Sequence, residues 1–257
     1  MAAYEHLTVA TRGRATWVTL DHPARRNALS WGMLRELHKA LTEVAGSQAT
    51  GVVLAANGPV FSAGHDFADV RAAGVEEMRG LLELCTGVMQ LIHTMPQVVV
   101  ARVHAPAVAA GCQLVATCDL AVAAESAGFS LPGGKGGWFC HTPAVAVARS
   151  IGRKRLMEMA LTGDVIDART AADWGLVNRT VPDGELDAAV EDLLSRATRG
   201  SPAAKALGKR TLYAQLDRPE SDAYEIAGEV MAASSRTPAA REGVAAFLEK
   251  RAPRWPE

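Results

Sequence analysis

The sequence predicts an α/β fold, with a core of parallel strands followed by a C-terminal region of helices. Short apolar runs rich in β-branched residues alternate with stretches of helical periodicity as far as about Pro182. The apolar runs are continuous, which is typical of parallel strands buried on both faces. Beyond Pro182 only the helical periodicity continues. We therefore divide the chain into a core, residues 1–182, and a helical region, residues 183–257.

The first half of the core has the order strand, helix, strand. The run TWVTLD predicts one strand, and GVVLAA at 51–56 predicts the next. Between them, one face of a helix is marked by apolar residues at helical spacing, namely Leu34, Leu37, Leu41 and Val44. This order is typical of a βαβ unit, in which a helix connects two parallel strands.

The second half of the core repeats the alternation. A longer amphipathic helix ends before Pro96, and its apolar face consists of Met78, Leu81, Cys85, Val88 and Ile92. The runs QVVVARV and DLAVAA predict two further strands, separated by AAGCQLVATC. In the helical region, Ser201-Pro202 predicts a helix start, because serine caps helices and proline fits their first turn.

Composition and charge exclude several classes of function. The chain has 27 Lys and Arg against 28 Asp and Glu, so no overall field attracts nucleic acid or an anionic membrane. No apolar run approaches the roughly 20 residues of a membrane span. Glu5 and His6 stand where a signal peptide needs an apolar core. We expect a cytoplasmic protein with neither nucleic acid nor membrane as a partner.

The cysteines predict neither a metal site nor a disulfide framework. There are four of them, in apolar surroundings and without a C-x-x-C pair, namely Cys85, Cys112, Cys118 and Cys140. We expect at least three to be small buried hydrophobic residues, and we expect no metal.

The least regular segment of the core is FSLPGGKGGWFCHTP, residues 129–143. Glycine-containing turns at strand ends are places where ligands meet backbone N–H groups. This run is not a Walker A loop, because Lys135 is followed by Gly136 instead of Ser or Thr. The chain also lacks G-x-G-x-x-G between a strand and a helix. The usual signatures of nucleotide hydrolysis and dinucleotide binding are therefore missing.

Five motifs together resemble the crotonase, or enoyl-CoA hydratase/isomerase, superfamily. They occur in the family's order along essentially the whole chain: LDHPARRNALS, PVFSAGHDF, VVVARVHAPAVAAGCQLVATCDLAVA, LTGDVIDARTAADWGLVNRTVP and REGVAAFLEKRAPRW. The strings AGCQLVA and FC-x-TP are similar to the divergent enoyl-CoA hydratase domain-containing branch. The resemblance implies a crotonase-like ββα spiral core with a helical C-terminal trimerisation region.

The resemblance implies an oxyanion hole for the thioester oxygen of an acyl-CoA. Its two backbone N–H donors map onto His65, after Ala63 and Gly64, and onto Ala110. Such donors lie about 2.7–3.1 Å from the developing oxyanion. Because the N–H is the donor, His65 in place of the family's common alanine keeps the function. Asp66 then anchors this loop. The alternative is that AGH and AAG are simply tight turns.

The same resemblance implies that both catalytic acids are absent. Hydratases of the family use one glutamate in a GGGCE-like string and one in an LPE-like string, and these positions hold Gln113 and Gly133. Neither replacement exchanges protons near neutral pH. Ordinary hydration by the usual route is therefore not expected.

His141 is the candidate for a relocated acid/base group. Dienoyl-CoA isomerases of the family have a second acid near this position. Thr142 can cap a helix and Pro143 suits its first turn, so His141 is expected just before a helix whose positive end favours the neutral imidazole. In this hypothesis Gly133 leaves space for the imidazole and Trp138 walls the pocket. Alternatively, His141 supports its own loop and Trp138 is a packing residue.

Four further residues are implied to contact coenzyme A, which is part of the substrate, so no separate cofactor is expected. Arg25 and Arg26 fall in the first CoA-contact segment and are assigned to the nucleotide phosphates; the alternative is that either is a solvated surface charge. Phe247 and Lys250 fall in the helix that reaches the adenosine end, often of a neighbouring subunit. The resemblance also implies a homotrimer or a dimer of trimers.

Three functions stay open at this stage. The chain is an acyl-CoA enzyme of the hydratase/isomerase family with relocated proton transfer, or it is an acyl-CoA-binding or regulatory protein that does not hydrate. The first is favoured by His141, and the second by the pair Gln113 and Gly133. Thioester hydrolysis or decarboxylation is a third alternative, because it needs only a stabilised oxyanion.

Overall fold

The computed structural model describes residues 4–256 and confirms the α/β fold. The strands are β1 (Leu7–Arg12), β2 (Ala15–Leu20), β3 (Gly51–Ala56), β4 (Val98–Val103), β5 (Ala107–Val108), β6 (Leu120–Ala124), β7 (Gly128–Ser130), β8 (Ile166–Asp167) and β9 (Arg179–Val181). The helices are α1 (Trp31–Ala45), α2 (Phe67–Ala72), α3 (Val75–Thr94), α4 (Ala110–Thr117), α5 (His141–Ser150), α6 (Arg153–Thr162), α7 (Ala168–Trp174), α8 (Leu186–Thr198), α9 (Pro202–Gln215), α10 (Glu220–Ser234) and α11 (Pro238–Leu248).

The main sheet has six strands in the order β1-β2-β3-β4-β6-β9. β1 and β2 form an antiparallel pair, and every other neighbouring pair is parallel. The four strands predicted from apolar runs are β2, β3, β4 and β6, which lie side by side. All of β3 is buried, as its continuous apolar run predicts.

One face of this sheet is covered by α1 and α3. Ser30 caps α1 by accepting a hydrogen bond from the Met33 N–H, and the predicted apolar face of α1 is buried. α3 ends at Thr94, before Pro96, because proline disfavours helical geometry in the residue preceding it. The two helices pack on each other and on the strands beneath them to form the larger core.

The opposite face of the sheet is covered by α8. Leu186, Val190 and Leu194 of this helix cluster with Trp17, Val53, Val100 and Val122 of the strands. The division at residue 182 stays a prediction. The first helix after it is part of the layered core.

A small second sheet, in the order β5-β7-β8, was not predicted from the sequence. Its strands have two or three residues each, which is too short for a period of two to be recognised. This sheet positions the segments that follow its strands. β5 leads into α4, and β7 leads into the glycine-rich loop.

The C-terminal helices dock on the core through a buried ion pair. α9 begins at Pro202 with Ser201 as its cap, as predicted. Its Lys209, only 8% exposed, places Nζ 2.7 Å from Asp119 Oδ2. The Tyr213 hydroxyl donates to Asp119 Oδ1 over 2.8 Å. Asp119 also accepts the Val99 N–H at 2.7 Å, so α9 is tied to the starts of β4 and β6.

Beyond α9, the helices leave large apolar side chains exposed. Tyr224 and Met231 of α10, with Phe247 and Leu248 of α11, are each more than 70% exposed in the single chain. None of the helices described between residues 4 and 256 is long and apolar enough to cross a membrane. All four cysteines are buried and unpaired, which confirms that they are small core residues.

Candidate active site

A cleft of about 500 Å³ lies where the loops after β3, β5 and β7 meet. It is lined by six of the residues chosen from the sequence, namely Ala63, His65, Ala110, Gly133, Trp138 and His141. Among the residues that the structure describes, the other six chosen residues lie outside this lining: Gln113, Arg25, Arg26, Asp66, Phe247 and Lys250. The sequence did not identify Phe67, Leu82 and Lys135, which also line the cleft.

In the loop after β3, the backbone polar groups just before His65 are hydrogen-bonded within the protein. The Ala63 N–H donates to the Arg26 carbonyl over 3.0 Å, and the Gly64 carbonyl accepts the Leu29 N–H at 2.8 Å. The Gly64 N–H donates to Ser62 Oγ over 3.3 Å. Within residues 4–256 the N–H of His65 has no hydrogen-bond acceptor. It is therefore available to a ligand.

The second available N–H group is at the start of α4. The Ala109 N–H donates to the Ser130 carbonyl, whereas the Ala110 N–H, in the first helical turn, has no acceptor in the described part of the chain. Ala109 has φ 51° and ψ −117°, a conformation that normally requires glycine. Ala110 itself has no positive φ, so its own backbone is unstrained. The strain falls on Ala109.

The first turn of α4 is in direct contact with the loop before His65, and Gly111 makes this contact possible. A Cβ on Gly111 would lie 2.4 Å from the Ser62 carbonyl oxygen and 2.8 Å from the Ser62 Cβ. Only glycine lets the first turn of α4 approach the loop before His65 this closely. The two available N–H groups thus belong to segments in direct contact.

Gln113 is buried one turn further along α4. Its side-chain oxygen Oε1 is enclosed and has no hydrogen-bond partner within the described residues. The side chain does not line the cleft.

The expectation that Gly133 leaves open space is wrong. A Cβ at this position would lie 2.2 Å from the Trp138 carbonyl oxygen and 2.8 Å from Cys140 Sγ. The Gly133 carbonyl also accepts the Trp138 N–H at 2.9 Å. The loop has folded onto the glycine, so the volume of a longer side chain is occupied by backbone.

The helix beyond this loop begins two residues earlier than predicted, because Cys140 and not Thr142 is its N-cap. His141 is the first residue of α5, and Thr142 does not cap it. The Ala144 N–H donates to the Cys140 carbonyl over 3.1 Å, so the first helical hydrogen bond already includes Cys140. Pro143 lies in the first turn, as expected. His141 is exposed at the cleft, with its ring 5.1 Å from that of Phe139.

The His65 side chain was not considered at the sequence level, where only its backbone counted. Its Nδ1 lies 3.3 Å from the Leu29 carbonyl oxygen, which can only accept, so Nδ1 carries the hydrogen. Its Nε2 is buried without a partner among the described residues. Burial holds the pKa of His65 below its usual 6.5, although the Leu29 carbonyl and Asp69 oppose this. The ring is therefore neutral at pH 7.

The two arginines chosen as CoA contacts differ in their partners. Arg25 forms a bidentate pair with Asp66, with Nη2 2.8 Å from both carboxylate oxygens. Asp66 also caps α2 through the Ala68 N–H, and these partners hold its pKa below the usual value despite partial burial. Arg26 has no ion-pair or hydrogen-bond partner for its side chain within residues 4–256. Arg26 is the arginine available to an anion.

A second groove, of about 770 Å³, runs along α3 beside the cleft. Leu82 and Trp138 line both spaces. Trp138 is therefore a wall between them. Phe247 and Lys250, at the end of α11, line neither space.

A sequence model of the enoyl-CoA hydratase/isomerase family matches residues 12–257. The chain belongs to the enoyl-CoA hydratase/isomerase family. The rat mitochondrial enoyl-CoA hydratase domain-containing protein 3 is 40% identical over 240 residues, which are 93% of this chain and 80% of that protein. This supports the branch indicated by AGCQLVA and FC-x-TP.

Solved structures of the family superpose closely on this chain. An enoyl-CoA hydratase of Mycobacterium smegmatis has a TM-score of 0.94 at 44% identity, covering 98% of this chain and 99% of that one. Human enoyl-CoA hydratase domain-containing protein 3 has the same TM-score at 36% identity, covering 98% of this chain and 100% of that one. The crotonase fold is thereby confirmed. The rat relative is named as mitochondrial, so the cytoplasmic location stays a prediction.

Proposed function

We propose that this member of the enoyl-CoA hydratase/isomerase family is an enzyme acting on a fatty acyl-CoA thioester. In this proposal the N–H groups of His65 and Ala110 bind the thioester oxygen as it gains negative charge. The observation that carries the proposal is that neither N–H group has an acceptor among residues 4–256, and that the two lie on touching segments at one cleft. Prepositioned donors of this kind contribute about 10²–10³ each to the rate.

The reaction is proposed to differ from hydration by two glutamates. The acid positions of the family correspond by resemblance to Gln113 and Gly133, and neither side chain transfers protons near pH 7. His141 lines the cleft and is the sequence-derived candidate for proton transfer. The feature that favours the second candidate function, acyl-CoA binding without hydration, is the same pair of replacements.

Binding and chemistry are tested together by incubating the purified protein with a panel of acyl-CoA and enoyl-CoA thioesters. Mass spectrometry detects any product, and calorimetry measures binding. Turnover of at least one thioester is expected. Binding of several thioesters without turnover would favour the binding protein, and no binding of any of them would contradict both candidates.

Crotonyl-CoA hydration is expected to be slow. Without the two glutamates it should be slower than in relatives that have them by about 10²–10⁴, the usual contribution of general acid–base catalysis. Gln113→Glu alone should restore little, because the residues of such a pair act as a unit. A spectrophotometric assay of double-bond loss measures this. Hydration by the unchanged protein at about 10 per second or faster would contradict the proposed site.

Arg26 is expected to contact the coenzyme A phosphates. Arg26→Ala should weaken butyryl-CoA binding about tenfold or more, because a hydrogen bond to a charged group is lost. It should leave a butyryl-pantetheine thioester, which lacks the nucleotide, nearly unaffected. Arg25→Ala is the matched control. It releases Asp66 and the loop, so it should weaken both ligands alike. Equal losses of both ligands in Arg26→Ala would place Arg26 outside the phosphate site.

We also propose that the protein assembles as a trimer or a dimer of trimers. The support is the large apolar side chains exposed on α10 and α11, since such surfaces are costly in water unless a second chain covers them. Met231→Glu should shift the assembly toward smaller species, because Met231 is 78% exposed in the single chain. Light scattering coupled to size exclusion measures the mass. A stable monomer of the unchanged protein would contradict this proposal.

A further inference from the structure

Trp138 is a large side chain at the cleft that the proposed oxyanion hole does not use. Its ring lies against the loop after β3, where the centroids of the Trp138 and His65 rings are 6.1 Å apart. The side chain is 38% exposed. Within residues 4–256 it belongs to neither hydrophobic cluster of the core, whereas the neighbouring Phe139 packs against the larger one. The indole therefore shapes the cleft and contributes little to the core.

The two spaces on either side of Trp138 differ in size. The cleft has a volume of about 500 Å³, and the groove along α3 has about 770 Å³. Sites for small-molecule ligands have about 300–1,000 Å³. Under the proposed function, the cleft must hold the thioester group and the end of the pantetheine arm as well as the acyl chain. The cleft alone therefore suits a short acyl chain, whereas the cleft and the groove together would admit a long one.

The groove continues the cleft along an apolar surface. Leu82 of α3 lines both spaces together with Trp138. Val75 and Met78 line the groove and precede Leu82 at helical spacing, so the three side chains lie along one face of α3. Val75 is 76% exposed. Exposed apolar side chains beside a cleft are a surface to which a hydrocarbon chain binds when it can reach them.

We propose that Trp138 determines the acyl-chain length of the substrate, because its ring separates the cleft from the groove and restricts the protein to short acyl-CoA thioesters. This inference rests on the proposed function, since the ligand is the acyl-CoA thioester in the cleft. The glycine-rich loop holds the indole in place. The Trp138 N–H donates to the Gly133 carbonyl over 2.9 Å, and the Trp138 carbonyl packs closely on Gly133. Trp138 is thus a specificity-determining residue and takes no part in proton transfer.

The test is the ratio of the affinities for decanoyl-CoA and butyryl-CoA, measured by calorimetry with the full chain. Each methylene group that moves from water to an apolar surface raises affinity about fourfold. In the unchanged protein the decanoyl chain gains nothing from the groove, so the ratio should stay below about fourfold. Trp138→Ala should raise the ratio about tenfold or more, because burial of two further methylene groups in the groove suffices for this.

Ala73→Phe is the matched control, because Ala73 lines the groove but not the cleft. In the otherwise unchanged protein it should not alter the ratio, since the groove is closed to the ligand. In the Trp138→Ala background it should return the ratio to below about fourfold, because the phenyl ring fills the space that the acyl chain had gained. The comparison of the four proteins separates the opening of this groove from a general loosening of the cleft.

A second variant, Trp138→Leu, covers the case in which alanine disturbs the folding of the loop. Leucine keeps an apolar side chain at this position but lacks the reach of the indole. It should change the ratio in the same direction as alanine, by a smaller factor. The affinity ratio depends on binding alone, so it is measurable whichever reaction the protein performs.

Three results would overturn the inference. They are a ratio above about tenfold in the unchanged protein, the ratio of the unchanged protein in both Trp138→Ala and Trp138→Leu, and a raised ratio in Trp138→Ala that Ala73→Phe does not reverse. Each of these leaves acyl-CoA binding intact. Failure of the proposed function is distinguishable, because the unchanged protein would then bind neither butyryl-CoA nor decanoyl-CoA.

Discussion

Gly111→Ala is expected to remove nearly all acyl-CoA turnover and to destabilise the fold. The added Cβ would lie 2.4 Å from the Ser62 carbonyl oxygen, and both groups are backbone or bonded directly to it. Neither can rotate away. The start of α4 must therefore separate from the loop before His65, and the two proposed oxyanion donors separate with them. Since each donor contributes about 10²–10³, loss of their alignment should cost at least that factor.

Stability should fall together with activity in Gly111→Ala. Overpacking of a close-packed site costs about 1–3 kcal/mol in free energy of unfolding. Gly208→Ala in α9 is the matched control, because a Cβ there meets nothing within 4 Å. In a helix interior it should raise stability by about 0.5–1 kcal/mol. Urea unfolding and the thioester assay measure both effects. Full activity in Gly111→Ala would mean that the approach of these segments is not what positions the site.

Asp119→Ala is expected to give the largest loss of stability, about 3–5 kcal/mol. It removes the only carboxylate paired with Lys209 in the described chain and leaves that ammonium group buried. It also leaves the Tyr213 hydroxyl and the Val99 N–H without their acceptor. Burial already lowers the pKa of Lys209, and without Asp119 the lysine should lose its proton more easily.

The control for Asp119→Ala is Asp217→Ala. Asp217 pairs with Arg149 over 2.7 Å, but both side chains are more than half exposed. Removal of an exposed pair costs about 0–1 kcal/mol. Unfolding in urea at one fixed protein concentration compares the two variants, since assembly makes stability depend on concentration. Equal losses would show that α9 does not depend on the buried pair.

The central strands could be predicted from the sequence because burial on both faces leaves a continuous apolar run. The helices α1 and α3 were equally predictable, since their apolar residues recur at helical spacing. The small second sheet could not be found this way, because strands such as Ala107–Val108 are too short to show any period. It is formed by tertiary contacts.

Those parts of the candidate site that depend on a motif and its backbone could be predicted from the sequence. Those parts that depend on contacts between side chains distant in sequence could not. His65 and Ala110 follow from motif positions, and the structure brings both to one cleft. The pairing of Arg25 with Asp66 joins residues 41 positions apart and has no local signal. The orientation of the His65 ring likewise depends on the Leu29 carbonyl, whose oxygen lies 3.3 Å from Nδ1. Only the folded chain shows that contact.

The close packing at Gly133 closes this position to larger side chains. A side chain here would have to displace the Trp138 carbonyl oxygen and Cys140 Sγ, which lie 2.2 Å and 2.8 Å from the position of a Cβ. The carbonyl belongs to the backbone and cannot rotate away. A glutamate introduced at position 133 alone would therefore have to rearrange the whole loop before its carboxylate could reach the cleft.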